Sequence, residues 1–519
     1  MRVLLVNSNQ IDDRTAVLPI GLAYVAKAAE AAGHEVRVID LCFQHETTDS
    51  LDREIEGFSP EVVGISVRNL DNANMLWPLS YVQEATHVVE RVRALTEAPV
   101  ILGGPAASIA PAQVARRLGG DYVVVSDGER PFVELLDCME NEISPDRVPG
   151  VGAFVGGRFH LTPVERRDFP SVRPDLGKYV DTTLYEKIGA TYGVQTKRGC
   201  RNRCTYCTYG QVLEGIPVRM RSPQEVVDEI EEIRTKYHPK SFEFVDSVFN
   251  DPVDYCVEIL EEIERRSWRS TFTAMGVSPK GLDVKLLKLM RRVGFRRLSV
   301  TPEAASPRMI RNYRKGFDLE DVIHAAEAIS SMEFDTKWFF LLGGPGETND
   351  SLQETLDFNP GHLQKSSEGG RNLVIYSFGL RVYPGTRLWD IAMEQGFISE
   401  NSDPLDQLWY LSEELDLDRA IHQIIRTALE CADTSTGLDE ALSGVPAISA
   451  LVGDPFGIGN SHQFVLQRLA KLLSLRPTDI ARTMRAQLMR QGYRGPLVGD
   501  VSGGAPGVGD RGARYVTRL

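Results

Sequence analysis

Lys197-Arg198-Gly199-Cys200-Arg201-Asn202-Arg203-Cys204-Thr205-Tyr206-Cys207 places three thiols on one short stretch in a CxxxCxxC pattern. The stretch follows a predicted strand, Gly193–Thr196, and precedes Ser222-Pro223-Gln224-Glu225. The latter is a helix start: an N-cap serine, proline at the first helical position and glutamate three residues after the cap. The cysteines therefore sit on a loop between a strand and a helix. Iron–sulfur cubanes take soft thiolate ligands, and three close cysteines reach three irons from a single loop, leaving the fourth iron open. Zinc would require a fourth protein ligand in a closed site. No histidine occurs between His160 and His238, and the next cysteine, Cys256, falls in a helical pattern. Cys200, Cys204 and Cys207 are thus the candidate ligands of a [4Fe–4S] cluster.

Around the triad, apolar runs alternate with helical patterns. Strands are predicted at Gly193–Thr196, Ser241–Val245, Thr271–Ala274, Arg297–Thr301, Thr336–Leu341 and Asn372–Leu380. Residues 191–395 therefore predict a partial (β/α)6 barrel with its active site at the carboxyl mouth. Residues 396–499 read as a small, mostly helical region that closes the pocket, with Gln463–Leu473 and Pro477–Arg490 its clearest helices. The loop Asp454–Gly459 is a candidate pocket loop, and the Gly-rich residues 500–519 predict a disordered tail.

Before the barrel, residues 1–150 predict a flavodoxin-like or Rossmann-like α/β domain. Its strands begin at Arg2–Val6 and continue through Glu35–Ile39, Val62–Ser66, Val100–Leu102 and Tyr122–Val125. Ligands of such sheets bind beyond the carboxyl ends of the strands. Those ends read Asn7-Ser8-Asn9, Ser66-Val67-Arg68-Asn69, Gly103-Gly104-Pro105 and Ser126-Asp127-Gly128-Glu129, small and polar enough for a large ligand to lie against backbone. Residues 151–190 read as a linker with a hairpin around Gly156-Gly157.

The 519 residues exceed one ordinary domain, and the formal net charge of −14 gives no general attraction to nucleic acid or an anionic membrane. No run of about eighteen apolar residues signals a membrane span, and the amino terminus enters a strand without a leader pattern. A cytoplasmic location is expected. The chain has 7 cysteines, too few for a disulfide scaffold. Cys42, Cys138, Cys256 and Cys431 are read as small apolar residues.

The triad, with an aromatic residue before its last cysteine, resembles the signature of the radical S-adenosylmethionine (SAM) superfamily. The resemblance implies that the open iron chelates SAM, that an electron from the cluster cleaves it to a 5′-deoxyadenosyl radical, and that Tyr206 lies beside the adenine. It also implies methionine-end contacts from Asp246 and Ser247 and ribose contacts from Glu303 and Ser306; Arg219 and Arg221 either approach SAM or the cluster or decorate the surface. An α/β domain ahead of such a barrel resembles the cobalamin-binding branch of the superfamily. That implies cobalamin contacts from Asn7, Ser66, Arg68, Asn69, Gly103, Gly104 and Glu129. The sequence departs from many cobalamin domains, which carry Asp-x-His-x-x-Gly after the first strand. Here Asn7–Arg14 holds no histidine, and the first in the chain is His34. Cobalt would then receive no imidazole from this loop, and Arg68 or Trp77 is the candidate for its lower face.

The implied activity is class B methyl transfer, from SAM through cobalamin to a carbon of a small molecule, plausibly a secondary-metabolite precursor in antibiotic biosynthesis. An electron donor such as flavodoxin or ferredoxin would supply the cluster; neither nucleic acid nor membrane is an expected partner. The alternatives are a cyclase or rearrangement enzyme with the same cofactors, a polar methyltransferase, and a cobalamin-responsive regulator. A methylthiotransferase would need a second cysteine triad, which Cys42 and Cys138 cannot supply.

Overall fold

The computed structural model describes residues 1–10, 16–43, 48–166, 172–363, 370–431, 433–437, 439 and 477–490. The predicted helix Gln463–Leu473, the loop Asp454–Gly459 and the tail from residue 500 lie outside them. So do residues 11–14 of the histidine-free loop.

Among the described residues seven strands build the amino-terminal sheet. They are β1 (Arg2–Asn7), β2 (Glu35–Asp40), β3 (Val62–Ser66), β4 (Val100–Gly103), β5 (Tyr122–Val124), β6 (Val151–Val155) and β7 (Arg158–Leu161). Their order is β2-β1-β3-β4-β5-β6-β7, parallel through β5. The runs Val3–Val6 and Val62–Val63 are wholly buried, because helices cover both faces of a parallel sheet. The strand order reverses between β1 and β3, the switch point at which such sheets bind ligands. The hairpin expected within the linker is β6–β7. It pairs antiparallel with β5 and extends the sheet to Leu161.

The second sheet series is the predicted partial barrel. β8 (Tyr192–Val194), β11 (Phe242–Phe244) and β12 (Phe272–Ala274) run parallel, as do β13 (Arg297–Glu303), β14 (Asp335–Leu342), β15 (Asn372–Phe378) and β18 (Thr434–Thr436). Bridges Phe272↔Phe295 and Val277↔Val300 join the two halves. Alternation along the strands sorts the side chains. Phe242, Phe244 and Phe272 face the helices, stacked with Phe249 and Phe295 in a buried aromatic layer. Between them Glu243 and Thr273 face the lumen. β18 was not expected in a segment read as helical; it adds a strand beside β15. The helices Leu417–Glu430 and Pro477–Arg490 of that segment do form, and both contribute to the barrel's hydrophobic core.

Two short antiparallel ladders complete the frame. β9 (Lys197–Arg198) pairs with β10 (Arg219–Met220), and β16 (Leu380–Arg381) with β17 (Trp409–Tyr410). The capping box predicted at Ser222 and Glu225 is present in both directions. Among the described residues no helix is long and apolar enough to cross a membrane.

Candidate active site

The cysteine loop is clamped at its base by the β9–β10 ladder. Gly199 there has φ +98°, and a Cβ would sit 2.8 Å from the Pro217 carbonyl oxygen and 2.9 Å from that of Gly215, so only glycine fits. One turn of π-helix, Tyr209–Leu213, follows Cys207 directly, a distortion frequent at functional sites. Burial raises all three thiols, Cys204 adds to the rise of Cys200 and Cys207, and Cys207 is pushed up to about 11. No His, Cys, Asp or Glu group among the described residues is gathered as ligands of one metal ion. Three thiolates that each take a separate iron of a cubane need not be. The donor set of three soft sulfurs with no nearby histidine fits a cluster.

Carboxylates organise the loop from beneath. Asp246 accepts hydrogen bonds from the Thr196 and Lys197 amides at 2.8 and 3.1 Å and from Thr196 Oγ1 at 2.7 Å, which fixes the strand end that launches the loop. Glu214 accepts from the Gly199 amide at 2.9 Å and from Ser247 Oγ at 3.0 Å. Its burial raises its pKa.

Beside Cys204, Tyr206 stands edge-on to Tyr313 and accepts from Lys315 Nζ at 3.2 Å. Glu303 belongs to the same group: burial raises its carboxyl, while Lys315 and Tyr206 oppose the rise. Its φ of +66° is strained for a non-glycine residue, and such strain gathers at ligand sites. Ser306 donates to Glu354 Oε2 at 2.6 Å.

Arg219 on β10 and Arg221 just after it lie beside the strand that launches the cysteine loop, and both are paired with carboxylates. Arg221 pairs with Glu229 at 2.5 Å, and Arg219 pairs with Asp127 of the amino-terminal domain. Arg198 crosses the same boundary. It grips Glu129 through two hydrogen bonds of 3.0 and 2.6 Å, with its guanidinium 4.9 Å from the Tyr24 ring centroid. Ser126 Oγ donates to the Leu213 carbonyl at 2.6 Å. A second buried pair, Arg381–Asp71 at 2.7 Å, binds the far side of the two domains.

Between the domains lies a cavity of about 1110 Å³, larger than the roughly 300–1,000 Å³ of an ordinary small-molecule pocket. Asn7, Ser66, Arg68, Gly103, Gly104 and Glu129 line it from the amino-terminal side; Asn69 does not. Gln195, Arg198, Tyr209 and Glu214 line it beside the cysteine loop. Tyr206, Asp246, Ser247 and Glu303 stand outside its wall, around the loop itself, and Ser306 is buried outside it against Glu354. Gly104 has φ +92°, and a Cβ would lie 2.6 Å from the Val67 carbonyl oxygen, so backbone alone forms that wall, as a flat macrocycle would need. No histidine lines the cavity among the described residues. His34 is at the opposite edge of the sheet, beside the Met1 amine. Arg68 does line it, with a pKa lowered chiefly by burial. Trp77 is 36% exposed and does not line it.

Gly104→Ala is expected to cost about 1–3 kcal/mol through the positive φ and the clash, and to lower cobalt retention. Denaturation midpoints and cobalt assays check both. At the mouth of β14 the buried Glu347 accepts from the Gly343 and Gly344 amides, yet burial still pushes its carboxyl up to about 8. The folded protein therefore holds this proton more tightly than the unfolded chain. The resulting stabilisation is complete below the ordinary carboxylate range and is lost as pH rises toward 8. Melting curves at a series of pH values should show the wild type losing stability relative to Glu347→Gln across that interval.

Sequence reading missed Lys315, Glu214 and Arg198. All three lie near the triad or at a predicted strand end, but only their partners reveal their duty.

Comparison with known proteins gives the same two-part organisation. The profile of the B12 binding domain matches residues 14–136, and that of the radical SAM superfamily matches residues 194–358. An uncharacterised methyltransferase of Pyrococcus horikoshii is 25% identical over 390 residues, 73% of this chain and 79% of that protein. Tryptophan 2-C-methyltransferase of Streptomyces laurentii is 24% identical, over 74% and 73% of the two chains. The radical SAM methyltransferase TsrM of Kitasatospora setae, solved with tryptophan and a SAM analogue, superposes with a TM-score of 0.72 at 22% identity. That superposition covers 94% of this chain and 99% of TsrM. Another structure of TsrM holds cobalamin and a [4Fe–4S] cluster. With a B12 binding domain joined to a radical SAM domain across a shared cavity, this chain belongs to the cobalamin-binding radical SAM enzymes.

Proposed function

We propose that the chain is a cobalamin-dependent radical SAM methyltransferase that delivers a methyl group to a carbon of a small molecule. One observation carries the reading: the Gly103-Gly104 wall and the residues flanking the cysteine loop, Arg198, Tyr209 and Glu214, line the same cavity, so a corrin held there would lie against the loop that carries the three thiols. The tryptophan and cytidylyl-2-hydroxyethylphosphonate methyltransferases among its relatives support small-molecule methylation. Bound cluster and cobalamin would supply electron transfer and methyl carriage, the chemistry no side chain performs.

The chain's own residues bind, orient and exclude water. Cys200, Cys204 and Cys207 hold the cluster. Tyr206 and Glu303, tied by Lys315, receive the adenosine end of SAM, with Ser306 behind them. Ser247, set by Glu214, faces the methionine end, and Asp246 fixes the loop. Asn7, Ser66, Gly103 and Gly104 would cradle the corrin, with Glu129 holding Arg198 at the cavity's rim. Arg68, which lines the cavity, would stand against a bound corrin, where a fixed cation disfavours added positive charge and its bulk excludes water. Reducing equivalents come from a flavodoxin or ferredoxin.

Counting products tests the reading. Anaerobic turnover with acceptor should yield S-adenosylhomocysteine and 5′-deoxyadenosine in equal amounts. Deoxyadenosine alone would replace methylation by a cyclase or rearrangement, and S-adenosylhomocysteine alone by polar methyl transfer.

A further inference from the structure

The lumen of a (β/α) barrel is ordinarily filled by layers of bulky branched side chains. Here it is not. The cavity runs from the corrin side into the barrel, where Gly193, Thr273 and Ser299 present little bulk. A Cβ on Gly193 would already stand 3.2 Å from Val245 Cγ1 and 3.7 Å from Ile20 Cδ1. Ile20 belongs to the amino-terminal domain, so this space opens toward that domain.

Two opposite charges stand in this layer. Glu243 on β11 is opposite Gly193 and Thr273 in register, and accepts from Thr191 Oγ1 at 3.0 Å. Lys337 on β14 is opposite Ser299 and Leu373. Both line the cavity and are partly buried, and each acts on the other's titration; burial raises the glutamate and lowers the lysine. Below them the floor is charge-balanced, with Arg297 and Arg371 beside Asp335 and Asp433. Above and around them the walls are apolar: Ile20, Val245, Met275, Phe339 and Leu373. A desolvated carboxylate and a desolvated ammonium beside an apolar chamber suit a ligand with complementary charges at one end and an apolar body at the other.

We infer that the acceptor is a zwitterion of the α-amino-acid type, its ammonium directed to Glu243, its carboxylate to Lys337, and its apolar side chain upward toward the corrin and SAM. This deepens the methyltransferase reading and rests on it.

Equilibrium dialysis of the cluster- and cobalamin-loaded enzyme against L-leucine, L-phenylalanine, L-tyrosine and L-tryptophan tests the inference. The N-acetyl and methyl-ester derivatives of each are run alongside. At least one free amino acid should bind, and blocking either charge should weaken it about 10- to 100-fold, the value of one charge-assisted hydrogen bond. Glu243→Gln should bring the free and N-acetyl forms to equal affinity, and Lys337→Met the free and ester forms. Iron and cobalt content should stay at wild-type levels in both variants. Binding of none of the four, or equal binding of blocked and free forms by the wild type, would overturn the inference even if neither variant folds. Failure of the wild type to load iron and cobalt would instead remove the methyltransferase reading.

Discussion

Arg198→Met should destabilise the protein by about 3–5 kcal/mol, the usual cost of removing one partner from a buried ion pair. Arg198 and Glu129 are 7% and 8% exposed, and their contact is bidentate. The variant would leave the Glu129 carboxylate buried without its main cation. Because Arg198 adjoins Gly199 and Cys200, cluster retention should fall with stability, although no iron ligand has been touched. Glu129→Leu in the Arg198→Met background should recover most of the stability, since apolar replacements of similar volume often match a buried pair. It should not recover the alignment of the two domains. Denaturant unfolding of the single and double variants, with iron assays beside it, separates these effects. Equal stability of wild type and Arg198→Met would show that the pair contributes nothing.

The second large effect concerns the triad. Alanine at Cys200, Cys204 or Cys207 should abolish SAM cleavage, because two remaining thiolates cannot hold a cubane whose open corner is defined by three. Circular dichroism should change little, since the loop is also held by the β9–β10 ladder, by Asp246 and by Glu214. Retained 5′-deoxyadenosine formation in any of these variants would exclude the assigned ligand set.

Local chemistry was legible in the sequence; long-range chemistry was not. The triad, the Ser222 capping box and the barrel strands are patterns within a few residues, and the alternation of Phe242-Glu243-Phe244 already separates outward from inward faces. Arg219 shows the limit. A basic residue after the cysteines suggests a SAM or cluster contact, yet its partner is Asp127, which only the packed domains bring near. Arg381 and Asp71 lie farther apart still in the chain and are equally invisible in it. β18 was missed because Thr434-Ser435-Thr436 is too short and too polar to signal a strand, and it exists by pairing with β15. The hairpin at Gly156-Gly157 was visible, but not that β6 would complete the edge beside β5. The fold and the loop that carries the three cysteines were therefore readable. The contacts that bind one domain to the other were not.

Metal analysis of anaerobically reconstituted protein tests most directly whether one chain carries both centres. Wild type should hold about four irons and one cobalt per chain. The triple alanine variant at Cys200, Cys204 and Cys207 should lose the iron and keep the cobalt. Iron retained by that variant, or a wild type that takes up no cobalt, would contradict the account.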